Sequence, residues 1–232
     1  MAARVLAEWM ECGNFPDRKL ADIDKDLPFI MELVHGCIRK YGILRWVINQ
    51  WVHKQPSDLT LAILHIGIYQ LMFMENVAVY AAINECVEAS KRQPNGMGAA
   101  KLVNAILRRF DRESAQVVEA LASQPDFIQF SHPEELFQRW IHRYGIKSTH
   151  MLATWNNQIP NTIIRLNKEK VEADAFVEAL QKMQIEPVLH PQSDKEIFFI
   201  LPRGVGVPEI PGYQQGWFIV QDPSTIHAVN LL

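Results

Sequence analysis

Through roughly the first 130 residues, apolar positions recur at spacings of three and four, the period of helices with one buried face. Val5 to Met10 opens with that pattern and is followed by a polar, acid-rich loop running through Asp26. Val34, Cys37, Tyr41, Leu44, Ile48 and Trp51 then form one stripe, with Gly36 and Gly42 as points where the helix can break. The stretch PSDLTLAILHIGIYQLMFM begins with Pro56 and a Ser57 cap and is apolar on nearly every side. A helix without a polar face belongs at the centre of a bundle. AVYAAINECVEASKR predicts an amphipathic helix closed by the loop QPNGMG. AAKLVNAILRRF predicts the next helix, and Ala115 to Leu121 adds one more. The pattern is that of an all-α bundle with short connections over residues 1–128.

From residue 129 the periods mix. Pro133 to Tyr144 and Ser148 to Trp155 read as helices, and NTIIRLN then reads as a strand. VEADAFVEALQKM returns to the helical spacing, EIFFILP is a continuous apolar strand, and WFIVQ is a strand after the turn-rich RGVGVPEIPGYQQG. Strand, helix, strand, strand is the order of a small α+β module, assigned to 129–215 with its last strand, WFIVQ, just past that bound. The chain then starts one more helix, PSTIHAVNLL, with Pro223 in the first turn.

In AAKLVNAILRRF, Leu102, Val103, Ile106, Leu107 and Phe110 fall on one side of the helix. Lys101, Asn104, Arg108 and Arg112 fall on the other, with Arg109 beside them. Such a stripe is either a solvated helix back or a phosphate-binding face. The net charge of −3 excludes a polycation, so affinity for nucleic acid has to come from a local patch. Charge is segregated in the way a patch requires. Between Leu33 and Ser57 the chain carries Arg39, Lys40, Arg45 and Lys54 and no acid. Between Glu88 and Arg112, the cations Lys91, Arg92, Lys101, Arg108, Arg109 and Arg112 meet only Glu88 and Asp111. The acids gather instead in Asp17 to Asp26 and Glu169 to Glu178.

Cys12, Cys37 and Cys86 are widely spaced and lack the CxxC pattern of a zinc site. All three lie in helical apolar patterns and are expected to be buried small hydrophobes. The histidines form no HxxxH pair, so no metal is expected. No apolar run is long enough to span a bilayer and no signal peptide is visible, which predicts a cytoplasmic protein without a membrane partner.

Laid in order, ILHIGIYQLMFM, VYAAINECVEASK and KLVNAILRRF resemble the core of the NusB family of helical RNA-binding domains. Tyr69-Gln70-Leu71, Ala82-Ile83-Asn84-Glu85 and Val103-Asn104-Ala105 stand at that family's spacing. NNQIPNTIIRLN and GWFIVQDPSTIHAVNLL resemble a narrower group, the Fmu/Sun (RsmB-type) ribosomal RNA cytosine-C5 methyltransferases. The resemblance implies a NusB-like domain, then a small α+β module, then the start of an S-adenosylmethionine-binding catalytic domain from residue 216. Neither a CAAPGG-like loop nor a catalytic Pro-Cys occurs in these residues. Cytosine-C5 chemistry needs a cysteine thiolate to attack the base, and the three cysteines lie in helices of the wrong domain. The chain is therefore expected to position RNA and not to catalyse, and to carry no cofactor of its own.

The resemblance implies further that basic residues near the first helix and on nearby helices hold RNA backbone. It assigns that role to Arg4, Lys101, Arg108, Arg109 and Arg112, with Asn104 beside them. Asn84 and Glu85 match family positions too and are read as making buried or capping hydrogen bonds. Trp9, Trp46, Trp51 and Trp140 have rings able to stack on bases, although apolar helix faces point to core packing for three of them. Gln221, Asp222 and Ser224 correspond to the edge of the S-adenosylmethionine pocket in the complete enzyme, or else cap the terminal helix. The implied partner is ribosomal RNA of the small subunit. The alternative is a stand-alone NusB-like adaptor binding RNA and a ribosomal or transcription protein.

Overall fold

The chain was analysed as a computed structural model that describes residues 1–229 apart from Asp22, Asp24, Asn95 and Lys195. It divides into two units, Met1–Gln158 and Ile159–Leu232.

The first unit is helical: α1 (Ala2–Cys12), α2 (Asp17–Leu20), α3 (Leu27–Arg39), α4 (Tyr41–Asn49), α5 (Asp58–Phe73), α6 (Val79–Lys91), α7 (Gly96–Ala122), α8 (Asp126–Gln129) and α9 (Glu134–Asn156). Ser57 caps α5, its hydroxyl accepting from the Thr60 amide at 3.3 Å, and the helix buries every side from Thr60 to Gln70 except Leu61. Helices α1, α3, α4, α6 and α7 all pack against α5. Two glycines let the backbones close in. A Cβ on Gly36 of α3 would stand 2.1 Å from the Tyr69 ring, and one on Gly67 of α5 would stand 2.6 Å from Leu107. The Tyr69 hydroxyl, brought across α3, donates to the Glu32 carboxylate.

The expected stripe from Val34 to Trp51 is two helices, parted at Lys40, where the backbone leaves the helical region at φ −102°. The helices expected at 99–110 and 115–121 are one, because the polar residues between them include neither Gly nor Pro and Val117 returns to the buried face. The loop expected through Asp26 contains the short α2, whose Leu20 is buried. Cys37 and Cys86 are buried as expected, and burial pushes the Cys86 thiol up to about 12. Cys12 is exposed instead, because it is the last residue of α1 and the chain turns away at Gly13, φ 66°.

The sequence division at 128 does not coincide with the division of the fold. Ser131 ties the chain back to α4, its hydroxyl accepting from the Gly42 amide at 2.8 Å. Phe130 stacks on Phe137 of α9 at 5.8 Å, and His150 of α9 meets Asp126 of α8 at 2.8 Å. These contacts place α8 and α9 in the first unit. Helix α9 turns sharply at Gly145, φ 75° and ψ 164°, a backbone that favours glycine and separates the two helices expected there.

The second unit holds β1 (Thr162–Leu166), α10 (Ala173–Gln181), β2 (Val188–Leu189), β3 (Phe198–Leu201), a 3-10 turn (Val207–Glu209), β4 (Phe218–Val220) and α11 (Thr225–Val229). Its sheet is antiparallel in the order β2-β3-β1-β4. Ile164 and Leu166 of β1, with Phe199 and Phe218, pack against Phe176 and Leu180 of α10. The two-residue edge strand β2 is too short to leave a periodic signal. Pro223 lies just ahead of α11 and not in its first turn.

The core carries one acid-sensitive group. His65 of α5 is fully buried, and its Nδ1–H donates to the Leu61 carbonyl at 2.8 Å. Burial holds the imidazole neutral, its pKa brought from 6.5 to about 4. The folded state thus refuses a proton that the unfolded chain accepts, so stability present above pH 6.5 is lost as pH falls towards 4. The loss amounts to about 3 kcal/mol. Urea unfolding across that range should show the decline, and His65→Phe should remove most of it. The same assay should show Gly36→Ala destabilising by about 1–3 kcal/mol, because the new methyl displaces the Tyr69 ring.

Candidate nucleic-acid interface

Packing against α5 and α6 dictates which side of α7 meets water. Val103, Ile106, Leu107 and Phe110 are buried, and Lys101, Arg108 and Arg112 are exposed. At about 100° per residue these three cations lie within about 40° of arc, and they run about 16 Å along the axis. The surrounding residues treat them differently. Arg108 Nε donates to Asn104 Oδ1 at 3.2 Å, so Asn104 braces Arg108 from the preceding turn. Among the described residues, no hydrogen bond or ion pair engages the side chains of Lys101 and Arg112.

Arg109 is committed elsewhere. Its Nε lies 3.0 Å from both carboxylate oxygens of Glu113, and its guanidinium lies over the Trp51 ring, 5.1 Å from the centroid. Trp51 in turn packs edge-on against Phe110 at 6.5 Å. That ring is part of the α4–α7 contact. Trp9 meets Tyr41 edge-on, Trp140 meets His132 edge-on, and Trp46 lies against the core.

Arg4 is exposed on α1, apart in sequence from the α7 stripe. The Met1 amine has its pKa lowered by burial first, and then by the positive charges of Arg4 and Arg92. Arg92, just past α6, was not singled out as a site residue from sequence, and its charge, like that of Arg4, acts on the Met1 amine. Lys40, one of the cations of the acid-free stretch, lies over Phe73 at 5.4 Å, and burial lowers its pKa. Asn84 and Glu85 are exposed on α6, contrary to the structural hydrogen bonds expected of them, because the buried face of α6 is carried by Ala82, Ile83 and Cys86. Tyr80, one turn before Asn84, is 71% exposed.

Gln221, Asp222 and Ser224 form a closed turn. Asp222 Oδ1 accepts from the Ser224 amide at 2.8 Å and from its hydroxyl at 2.5 Å, and these bonds lower the carboxyl pKa. Gln221 Nε2 donates to Thr225 Oγ1 at 2.6 Å, leaving only Gln221 Oε1 buried without a donor. In this chain the polar groups of Asp222 and Ser224 are engaged in holding the turn ahead of α11. Among the described residues, no three His, Cys, Asp or Glu side chains gather as metal ligands, and no helix is long and apolar enough to cross a membrane.

Residues 1–112 match the NusB family, and residues 132–205 match the ferredoxin-like domain of RsmF/B-like methyltransferases. The ribosomal RNA small subunit methyltransferase B of Erwinia tasmaniensis is 30% identical over all of this chain and 54% of its own length. Its namesake from Photorhabdus laumondii is 32% identical over 90% of this chain and 48% of its own. A probable methyltransferase B from Synechocystis sp. is 29% identical over 89% and 47%. The chain thus spans about half the length of the curated relatives it matches. The crystal structure of PH0851 superposes with a TM-score of 0.62 at 15% identity, covering 99% of this chain and 54% of that one, and so shares the fold. The chain thus carries a NusB-family domain over residues 1–112, followed over residues 132–205, from α9 into the sheet, by a ferredoxin-like domain of the RsmF/B methyltransferase type.

Proposed function

We propose that this chain is the RNA-binding and substrate-positioning region of an S-adenosylmethionine-dependent ribosomal RNA cytosine-C5 methyltransferase, acting on small-subunit RNA. The observation that carries the reading is the row of Lys101, Arg108 and Arg112 on the outer side of α7, with no acid paired to any of them among the described residues. Similarity to small-subunit RNA methyltransferases across essentially the whole chain supports it. Phosphate contacts fix register and orientation without doing chemistry, which is what a positioning region must supply. Arg4 and Arg92 add a second basic point, and Arg109 acts by holding Trp51 against Phe110.

In this reading the thiolate that attacks the base and the S-adenosylmethionine that donates the methyl lie outside these residues. Cys37 and Cys86 cannot supply the nucleophile, because burial raises both thiols well above neutral pH. Gln221, Asp222 and Ser224 serve first as the turn that starts α11 and border a cofactor only in a complete enzyme.

Changing Lys101, Arg108 and Arg112 together to Glu should weaken binding to a fragment of small-subunit RNA at least tenfold. The dependence of log K on log salt should flatten by about 2, since each phosphate neutralised on a single strand contributes about 0.7. Circular dichroism should be unchanged. Retained affinity with a retained salt slope means that the stripe is a solvated surface and the RNA-binding reading is wrong. Titration calorimetry of this chain with S-adenosylmethionine should give no heat of binding; micromolar affinity would place the cofactor site inside these residues.

A further inference from the structure

A cleft of about 250 Å3 opens in the first unit between the C-terminal half of α4, the loop that follows it and the first turns of α5. Tyr41, Arg45 and Asn49, four residues apart, carry one face of α4 into it. Ile48, Val52 and Leu61 give it apolar walls, and Asp58 supplies its one carboxylate. The aromatic ring is fixed before any ligand arrives. Tyr41 stacks on His65 at 5.2 Å and 10°, Trp9 meets it edge-on at 5.2 Å, and its hydroxyl accepts from Arg45 Nη1 at 3.0 Å. The Arg45 guanidinium lies over the ring, 5.9 Å from its centroid, so that ring and guanidinium together form the surface a base meets.

The Arg45 guanidinium has no acidic partner among the described residues and keeps its remaining N–H donors for a ligand. His65, buried and neutral behind the ring, adds no charge. The surrounding chain is acid-free from Leu33 to Ser57, with His53 at the cleft and Lys54 beside it. Val52 lines the cleft, and its chain neighbour Trp51 carries the Arg109 guanidinium of α7 on its ring.

A flat aromatic heterocycle with hydrogen-bonding edges and an attached anion matches these groups. Unstacked bases are held by aromatic rings and apolar walls, read at their edges by amides and carboxylates, and anchored at the phosphate by arginine. The carboxylate of Asp58 further selects among bases. It accepts from an exocyclic amino group, which adenine, guanine and cytosine possess and uracil lacks, and it repels a phosphate placed inside. We infer that this cleft takes one unstacked, amino-bearing nucleotide of single-stranded RNA, with the base against Tyr41, the edge at Asn49 and Asp58, and the phosphate at Arg45. The inference rests on the RNA-binding reading above and adds to it a base-selecting subsite separate from the phosphate stripe.

Fluorescence anisotropy with the full chain separates the two. The probes are a 15-nucleotide single strand containing A and C, an oligo-U strand of the same length, and a duplex of matching sequence. The A/C strand should bind about tenfold more tightly than oligo-U. Arg45→Ala and Asn49→Ala should each remove most of that difference and leave duplex binding unchanged, whereas the triple Glu change on α7 should weaken all three probes. Both substituted side chains are exposed, so unchanged thermal melting is expected alongside. Ultraviolet crosslinking of the bound A/C strand, mapped by mass spectrometry, should label the Tyr41 peptide. Tight RNA binding without strand or base preference, and without an effect of the cleft variants, overturns the subsite and leaves the stripe intact; the cleft would then be a surface for a protein side chain. Failure of every probe to bind overturns both readings.

Discussion

The absence of a polar face on α5 governs the arrangement of the first unit. A sixteen-residue helix buried from Thr60 to Gln70 has to be enclosed, and five other helices enclose it. Its few polar groups are accommodated in the helix or close by: Gln70 Nε2 bonds to the Ile66 carbonyl, Thr60 bonds to Gln93, and His65 is kept neutral. Each enclosing helix then needs a single apolar stripe, and its opposite side is left to solvent. On α7 that opposite side is Lys101, Arg108 and Arg112. The row of cations is aligned because Val103, Ile106, Leu107 and Phe110 fix the rotation of the helix about its axis. Geometry imposed from the core arranges the surface charge, with Gly67 letting Leu107 seat deeply enough to lock it.

Long periodic elements were legible in the sequence for the same reason. Helix α5 is apolar on nearly every side over sixteen residues, α6 and α7 repeat the burial period over three or more turns, and β1 and β3 carry apolar residues that the sheet buries. What was not legible lies in elements shorter than a period or in contacts between distant residues. Helix α2 and strand β2 are four and two residues long. The packing of α8 and α9 with the first unit was not legible because Ser131 reaches Gly42 across 89 positions, a bond no local window contains. Cys12 illustrates a smaller version of the limit: its spacing is helical, but the helix ends beneath it.

The candidate site divides in the same way. Sequence identified the stripe but treated its cations as equivalent. The fold distinguishes them by prior commitment, and Arg109 is committed because Trp51, distant in sequence, comes to rest beneath it. The nearness of Arg92 to the Met1 amine and the exposure of Asn84 likewise depend on how helices pack. The turn at Gln221, Asp222 and Ser224 shows the opposite case. Its bonds are local, and Asp222 capping the start of a helix was one of the two roles its residue types allowed.

Three phosphate contacts on one helix make a weak and indiscriminate RNA ligand. Their contribution comes from counterion release, which is the same for every sequence and falls as salt rises. A chain of net charge −3 has no long-range field to reinforce them. A positioning region of the kind proposed has to discriminate, and discrimination resides in base edges and in bases that leave the stack. The α7 stripe offers neither, since its side chains are cations and one amide already bonded to Arg108. The cleft beside Trp51 offers both: a ring fixed on His65 for stacking, and an amide and a carboxylate for edges. Its arginine is held by Tyr41 and not by an acid, so it retains its full charge for a phosphate without paying to break an ion pair. Under the proposed function, placing orientation on α7 and selection on α4 therefore assigns each demand of RNA recognition to a surface chemically equipped for it.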